Sequence, residues 1–398
     1  MRLPLVSELD SRDGESNKDA RLTNVLKETD EGGDLACVRP GLEAAAIVAG
    51  DGGGLVCFNG DLISIFEDNI YQYSGGLGSQ PTLAGTPEST VFNKCSANGG
   101  VIVGSDYATY ETNVPIKWTQ SDGVVELSDK RGESNGVSSN GSVIVGTVNI
   151  SPNTTVYNAF RWTQATGMVI LGTLPTGNIS YGVGVSGDGN VVVGKANATV
   201  AYSNYRGFSW TPSGGMVNLG TLGGDVSEAY ACSYDGSVIV GYSKTSLLNA
   251  NYVAVKWDNG VISDLGMGNL SVAYYCSSDG SVIIGRMESG GVYRAIRWEN
   301  GQIYMIDGFP AGASSEATWC SNDGNVIIGN VIIDYISYGF MYGNGRLFIL
   351  DPDSTLRGGS SDGNYLVGSV GDDATFIPQF KSIATIQSDT YDFAQSPL

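Results

Sequence analysis

The sequence predicts an all-β fold, a seven-bladed β-propeller with an extended N-terminal arm and a short C-terminal tail. Two repeated motifs and their spacing carry that expectation. The first motif occurs seven times: SANGGVIVG (Ser96–Gly104), SSNGSVIVG (Ser138–Gly146), SGDGNVVVG (Ser186–Gly194), SYDGSVIVG (Ser233–Gly241), SSDGSVIIG (Ser277–Gly285), SNDGNVIIG (Ser321–Gly329) and SDGNYLVG (Ser361–Gly368). The closing glycines lie 42, 48, 47, 44, 44 and 39 residues apart. A period in the forties, built from short β runs and Gly-rich turns, marks propeller blades. The second motif alternates with the first: an aromatic residue ends a short strand, a turn follows, and an apolar run comes after it. Its copies are Val56–Phe66, Ile116–Leu127, Phe160–Leu171, Phe208–Leu219, Val255–Leu265, Ile296–Ile306 and Phe340–Leu350, also seven.

Residues 1–44 read as a docking arm. They are polar and charged and end in Arg39-Pro40-Gly41-Leu42. Segments of this composition bury too little apolar surface to fold alone and become ordered on a partner.

Residues 45–378 read as the propeller. The Asp-Gly and Asn-Gly pairs are hairpin turns, because these residues tolerate positive φ. The run after each turn, such as Val238-Ile239-Val240, is a strand buried on both faces. The closing glycine lets the backbone bend or lets a neighbouring sheet approach. The aromatic column is expected to fill the gap between adjacent sheets. It comprises Trp118, Trp162, Trp210, Trp257 and Trp298, with Phe58 and Tyr342 in the outer copies. The chain enters the pattern at the Phe58 half-unit and leaves it at the Ser361–Gly368 half-unit. Pairing of residues 45–66 with 360–378 would complete a seventh blade and close the ring, which removes exposed sheet edges. Residues 379–398 form a polar tail.

Charge and composition narrow the function. The chain has 398 residues, 41 acidic against 21 basic, for a net charge of −20, and no histidine. The negative balance disfavours tight binding to nucleic acid and to anionic membranes. Without histidine there is no Ser-His-Asp or Cys-His arrangement and no His-ligated zinc or haem. No cofactor and no metal site is expected. Carboxylate-only chemistry, such as glycoside hydrolysis, stays open. The N-terminus carries charges where a secretory signal would be apolar, and no 18-residue apolar run suggests a membrane span. Cys95, Cys232, Cys276 and Cys320 share one repeat column, in which Val137 and Val185 also occur. Interchange with valine reads as small buried apolar residues, not disulfides.

Four sets of residues could carry chemistry. Asp188, Asp235, Asp279, Asp323 and Asp362 precede glycine in the repeats. Calcium binding would use such residues, but Asn98 and Asn140 replace them in two copies, which favours an Asx-type turn. The aromatic column could stack sugars, yet its apolar strand context favours core. Lys117, Arg161, Lys256 and Arg297 precede the aromatic residue and are expected to pair with blade carboxylates in preference to binding phosphate. The variable segments Ser105–Val114, Thr147–Tyr157, Lys195–Tyr205 and Tyr242–Tyr252 are rich in Tyr, Asn, Ser and Thr. Such amphipathic loops suit contact with protein or glycan.

Two resemblances add to this reading. Phe160-Arg161-Trp162, Leu171-Gly172-Thr173-Leu174, Leu219-Gly220-Thr221-Leu222-Gly223-Gly224 and Ser227-Glu228-Ala229 resemble the HAF-type repeat of extracellular and surface proteins, although that family's usual histidine is missing. The opening segment resembles a different family. MRLPLV, Asp10-Ser11-Arg12-Asp13-Gly14, Lys18-Asp19, Leu22-Thr23-Asn24, Arg39-Pro40-Gly41-Leu42 and Phe58-Asn59-Gly60 are similar to the start of short-tailed bacteriophage tail nozzle or hub proteins, also called packaged-DNA stabilisation proteins. In that family the opening segment leads into a propeller, and six copies sit below the portal and adaptor rings.

The resemblance implies a structural virion protein rather than an enzyme. It would be a homo-hexamer in the tail, assembled in the host cytoplasm, with portal and adaptor proteins and tail fibres as partners and no membrane contact. DNA would pass without specific binding. Arg2, Arg12, Arg21 and Arg39 cluster in an otherwise acidic chain and are the expected docking contacts. The alternative is a surface or receptor-binding propeller that recognises glycans or host proteins through its Tyr-rich loops. A carboxylate glycosidase is a third reading.

Overall fold

A computed structural model describes residues 90–370, apart from 110–111, 152–155, 200–203, 248–250, 344 and 364. It also describes the strand backbones 25–30, 33–38, 54–58, 61–66, 69–74, 373–378 and 381–385. Every regular element among the described residues is a β-strand. The chain divides into two units, residues 1–80 with 378–398, and residues 81–377. The propeller lies in the second of these units.

In the first unit, Val25–Asp30 pairs with Gly33–Val38 as an antiparallel hairpin. A separate four-stranded sheet runs in the order Gly54–Phe58, Asp61–Phe66, Asn69–Ser74, Lys381–Thr385.

The second unit is a β-propeller. Among the described residues it has six four-stranded blades, not seven. Their first strands are Thr90–Cys95, Gly132–Val137, Ser180–Val185, Ser227–Cys232, Val272–Cys276 and Ser314–Cys320, and each blade runs on through three further antiparallel strands in chain order. A three-stranded sheet, Ser354–Gly359, Tyr365–Val370 and Asp373–Pro378, follows the sixth blade. Among the described residues, the expected pairing of 45–66 with 360–378 is not made. Asp373–Pro378 itself takes the third place in that last sheet, while Gly54–Phe58 pairs with Asp61–Phe66, which pairs with Asn69–Ser74.

The ring closes without that exchange. Backbone bonds link the turns at the ends of successive first strands: Ala97 N to Ser139 O (2.9 Å), Ser139 N to Gly187 O (3.0 Å), Asp188 N to Tyr234 O (3.1 Å), Tyr234 N to Ser278 O (2.7 Å), Ser278 N to Asn322 O (2.9 Å) and Asn322 N to Ser361 O (2.8 Å). Ser361 N then returns to Ala97 O (3.0 Å).

Each turn is held by the Ser-x-Asp/Asn motif. In blade 4, Ser233 Oγ donates to Asp235 Oδ1 (2.8 Å), Ser237 N donates to the same oxygen (3.0 Å), and Val238 N donates to Ser233 Oγ (3.0 Å). Asn98 and Asn140 accept in the same way, so a carboxylate is not required. In the last copy the motif serine is Ser360, one residue before the predicted start, with its hydroxyl on Asp362 Oδ1 (2.7 Å).

The closing glycine has a local cause. Each first strand carries a bulge, as between Ala229 and Ala231. A Cβ on Gly241 would lie 1.9 Å from Glu228 O of the same blade. The pressure therefore comes from the blade's own first strand rather than from a neighbouring sheet.

The core lies between sheets. Trp257 of blade 4 packs with Val193 and Leu219 of blade 3, Trp210 with Val143 and Leu171 of blade 2, and Trp298 with Val240 and Leu265 of blade 4. Trp162 packs with Val103 of blade 1, and Tyr342 with Val282 and Ile306 of blade 5. Trp118 of blade 1 clusters with Val367 of the three-stranded sheet, which makes the closing seam apolar as well. Burial of this kind is the main favourable term in folding.

Candidate functional site: a tyrosine-lined mouth

The Ser-x-Asp turns occupy one end of the first strands. At the opposite end, neighbouring strands bring a different set of side chains together. Glu133, Tyr181 and Glu228 open the first strands of blades 2, 3 and 4. Their cross-strand partners are Thr147, Lys195 and Tyr242. Tyr157, Tyr205 and Tyr252 open the third strands, and Arg286 pairs with Val272 in blade 5.

These residues form a belt of aromatic rings and paired charges. Tyr157 stacks on Tyr181 with centroids 6.1 Å apart, and Tyr205 meets Tyr181 edge-on at 5.9 Å. Tyr230 lies 6.1 Å from Tyr242 and 5.6 Å from Tyr274. Lys195 Nζ is 3.0 Å from Glu228 Oε2 and sits over the rings of Tyr181 and Tyr205, at 5.6 and 5.3 Å. The Tyr230 hydroxyl donates to the same Glu228 oxygen (3.0 Å). Arg286 repeats the arrangement in blade 5, 2.9 Å from Glu316 Oε2 and over Tyr293 and Tyr274. Opposite charges set against aromatic faces in a half-buried rim are mutually stabilising.

Burial, followed by the neighbouring carboxylates and phenols, pushes the Tyr230, Tyr242 and Tyr274 hydroxyls well above their ordinary range. Burial and Tyr205 do the same to Tyr181. All four therefore stay neutral donors and acceptors at physiological pH.

A pocket of about 450 Å³ opens between blades 2 and 3, lined by Glu133, Asn135, Thr147, Tyr181, Val183, Lys195 and Tyr205. Asn135 Nδ2 donates to Glu133 Oε1 (3.3 Å) and to Gly182 O (3.1 Å). Thr147 is 3% exposed, and its hydroxyl has no hydrogen-bond partner.

Deeper along the axis the ring is bridged. Lys94 of blade 1 donates to Arg357 O of the three-stranded sheet (2.7 Å) and lies 4.9 Å over the Tyr275 ring of blade 5. Blades 1 and 5 are not neighbours, so these side chains meet across the central channel. Tyr275 also packs against Trp319 of blade 6 at 6.2 Å. Lys94 is half-buried, and burial lowers its pKa to about 8.

The predicted residues fall in different places. Arg2, Arg12, Arg21 and Arg39 lie outside the described residues, as does the Phe58 side chain. Trp257 is wholly buried and donates Nε1 to Leu219 O (2.8 Å). Trp118 is buried, while Trp162, Trp210, Trp298 and Tyr342 are partly buried between sheets. Of the basic residues beside them, Arg297 pairs with Glu299 (3.0 Å). Arg161 instead donates to Gly189 O (3.3 Å), and Lys117 and Lys256 lie over Trp162 and Trp298. Cys95, Cys232, Cys276 and Cys320 are free thiols, and burial pushes Cys95 up to about 12. Among the described residues, no group of three or more acidic or cysteine side chains could hold a metal ion. No helix among them is long and apolar enough to cross a membrane.

Sequence reading marked the segments that end in Thr147, Tyr157, Lys195, Tyr205, Tyr242 and Tyr252, but not Glu133, Glu228, Arg286 or Lys94. One signal was present. The position after the closing glycine holds Ser105, Thr147, Lys195, Tyr242, Arg286, Asn330 and Ser369, a variable polar or aromatic column directly after the near-invariant Val/Ile run and glycine.

No protein-family model matches the chain, and no curated protein matches it in sequence. Solved structures match its fold. The β-propeller domain of the Trilobed protease from Pyrococcus furiosus, described as having an open velcro topology, aligns with a TM-score of 0.52 at 10% identity, over 77% of this chain and 99% of that one. A puromycin hydrolase S511A variant aligns with a TM-score of 0.52 at 10% identity, over 78% of this chain and 55% of that one. An oligogalacturonate lyase in complex with manganese aligns with a TM-score of 0.50 at 12% identity, over 83% and 98%. The chain is a β-propeller protein. At these identities the likeness extends to the fold and not to activity.

Proposed function

We propose that this propeller chain is a structural, non-catalytic subunit of a short-tailed bacteriophage tail. As a homo-hexamer it would form the nozzle or hub below the portal and adaptor proteins and help to retain and channel DNA. The observation that carries this reading is the order of the chain: the motifs from Asp10-Ser11-Arg12-Asp13-Gly14 to Arg39-Pro40-Gly41-Leu42 come first and a propeller follows, as in the family they resemble. The net charge of −20 supports it, since an acidic lumen lets DNA slide without adhering. Because Lys94 and Tyr275 meet across the propeller's own channel, DNA would run between subunits. Glu228 and Glu316 are each engaged by a cation, which suits a binding rim better than acid–base catalysis.

Electron microscopy of the purified protein, with and without residues 1–44, tests the proposal. Sixfold rings that require the arm are expected, together with loss of particle incorporation when Arg2, Arg12, Arg21 and Arg39 are all replaced by Ser. Normal incorporation of that variant, with single discs in both preparations, would overturn it.

The tyrosine-lined mouth favours a second reading, in which the propeller also recognises a host surface. It needs no change of fold and is compatible with a place in the virion tail.

A further inference from the structure

We propose that the pocket between blades 2 and 3 is a saccharide subsite that takes a pyranose ring. The proposal rests on the second, surface-recognising reading above. Its volume of about 450 Å³ falls in the range of about 300–1,000 Å³ usual for small-molecule sites. A sugar ring offers an apolar C–H face and a rim of hydroxyls that both donate and accept. The pocket matches each property. Tyr181 and Tyr205 set two aromatic planes at 64° to one another, which supplies apolar ring surface on the blade 3 side beside the Lys195 ammonium. Around those rings, the Glu133 carboxylate can accept and the Lys195 ammonium can donate, while the Asn135 amide is held by Glu133 and Gly182 O. The buried Thr147 hydroxyl, on the blade 2 side of the pocket, has no partner in the protein, so hydrogen-bonding capacity is left unused there.

Charge argues against other small ligands. Lys195 is balanced by Glu228 at 3.0 Å, which leaves the Glu133 carboxylate facing the pocket. A phosphate or carboxylate ligand would therefore be repelled. A cationic ligand would compete for ring faces that the Lys195 ammonium already occupies, 5.6 and 5.3 Å from the two centroids. A neutral polyol carries no charge for Glu133 or Lys195 to repel.

Two probes separate free sugar from a surface polymer. Methyl pyranosides of the gluco, galacto, manno and rhamno series would be tested by saturation-transfer NMR on the full chain. Purified bacterial capsular and lipopolysaccharide O-chain preparations would be tested by titration calorimetry. Saturable binding is expected from at least one pyranoside, or from a polysaccharide that contains it. Glu133→Gln and Tyr205→Ala should each weaken it at least tenfold with melting curves retained, while Val217→Thr, on the exposed outer strand of blade 3, should leave it unchanged. Absence of binding to every probe, or wild-type binding by both pocket variants, would overturn the proposal. Tail assembly is read separately, by imaging with and without residues 1–44, so the saccharide site and the tail role can fail independently.

Discussion

The amide of Ser361 donates to the carbonyl of Ala97 across 3.0 Å, and this bond joins the last sheet of the propeller to the first. The Ser361 hydroxyl reaches the same oxygen (3.1 Å). With Trp118 clustered against Val367, these contacts fasten the ring from within the propeller unit. Ser361→Pro removes the amide donor and the hydroxyl together. It should cost about 1–3 kcal/mol in denaturant melts, the penalty of unmade buried hydrogen bonds. Ser361→Ala keeps the amide and should cost less. Hydrogen exchange should rise first at the Ala97 and Ser361 turns. Wild-type stability in the proline variant would show that the seam does not depend on this link.

Lys94 presents the opposite balance. Burial lowers its pKa to about 8, so folding disfavours its charged form. Between pH 8 and roughly 10.5 the unfolded chain binds more protons at this site than the folded one, and stability gains as pH rises through that window. Lys94→Met keeps the bulk over Tyr275 without the charge. It should be more stable than wild type at pH 7, by an amount on the order of 2–3 kcal/mol, and the difference should vanish by pH 11. Lys94→Ala loses packing as well and should show a smaller gain or a loss. A pH-independent difference between wild type and the Met variant would mean that folding does not lower the Lys94 pKa.

Gly241 tests the origin of the repeat itself. A methyl group there would stand 1.9 Å from Glu228 O, which is backbone and cannot swing aside. Gly241→Ala should therefore destabilise the protein by about 3 kcal/mol or more, beyond the ordinary range for overpacking. Gly215→Ala makes a useful contrast: its Cβ would meet nothing within 4 Å, and its cost comes from a φ of +65° alone. Comparable melting temperatures for Gly241→Ala and wild type would contradict the bulged register.

Repetition made the propeller legible. Each blade must bury one interface against the next, so Trp162, Trp210 and Trp257 recur at blade spacing and can be read from a single chain. The seam was not legible, because it is made once. Nothing in the pattern distinguishes a strand contributed by residues 54–66 from one contributed by Asp373–Pro378, and both have strand-like composition. The mouth was half legible. Tyr157, Tyr205 and Tyr252 stood out as Tyr-rich loop ends, but Glu228 looked like one acid among many. Its role comes from Lys195, one blade away, and such a pairing depends on register rather than on sequence neighbours.

Glu228 is consequently the side chain on which the rim should depend most. It is 7% exposed, holds Lys195, and accepts from the Tyr230 hydroxyl. Glu228→Gln leaves the Lys195 ammonium against two rings without its counter-ion. A loss of about 1–3 kcal/mol is expected, tempered by the partial exposure of the lysine. Double replacement with Lys195→Met should recover much of that loss, since the unpaired charge goes with its partner. Additive losses in the double variant would show that the two groups do not interact.

The Ser-x-Asp turns give the protein its expected acid sensitivity. In blade 4 the backbone amide of Ser237, then the hydroxyls of Ser237 and Ser233, hold the Asp235 carboxyl down to about 2. Asp279 is lowered in the same way, first by the Ser277 hydroxyl. An unfolded aspartate titrates near ~3.9, so between about pH 4 and pH 2 the unfolded chain binds more protons than the folded one. Stability supplied by these turns is complete above that window and is lost as pH falls through it. Asp235→Asn should behave as Asn98 and Asn140 already do, accepting the same backbone amide without a charge to titrate. The variant should melt below wild type at pH 7, and the gap should close as the pH is lowered from 5 to 2. A gap that stays constant over that range would show that Asp235 contributes through shape alone.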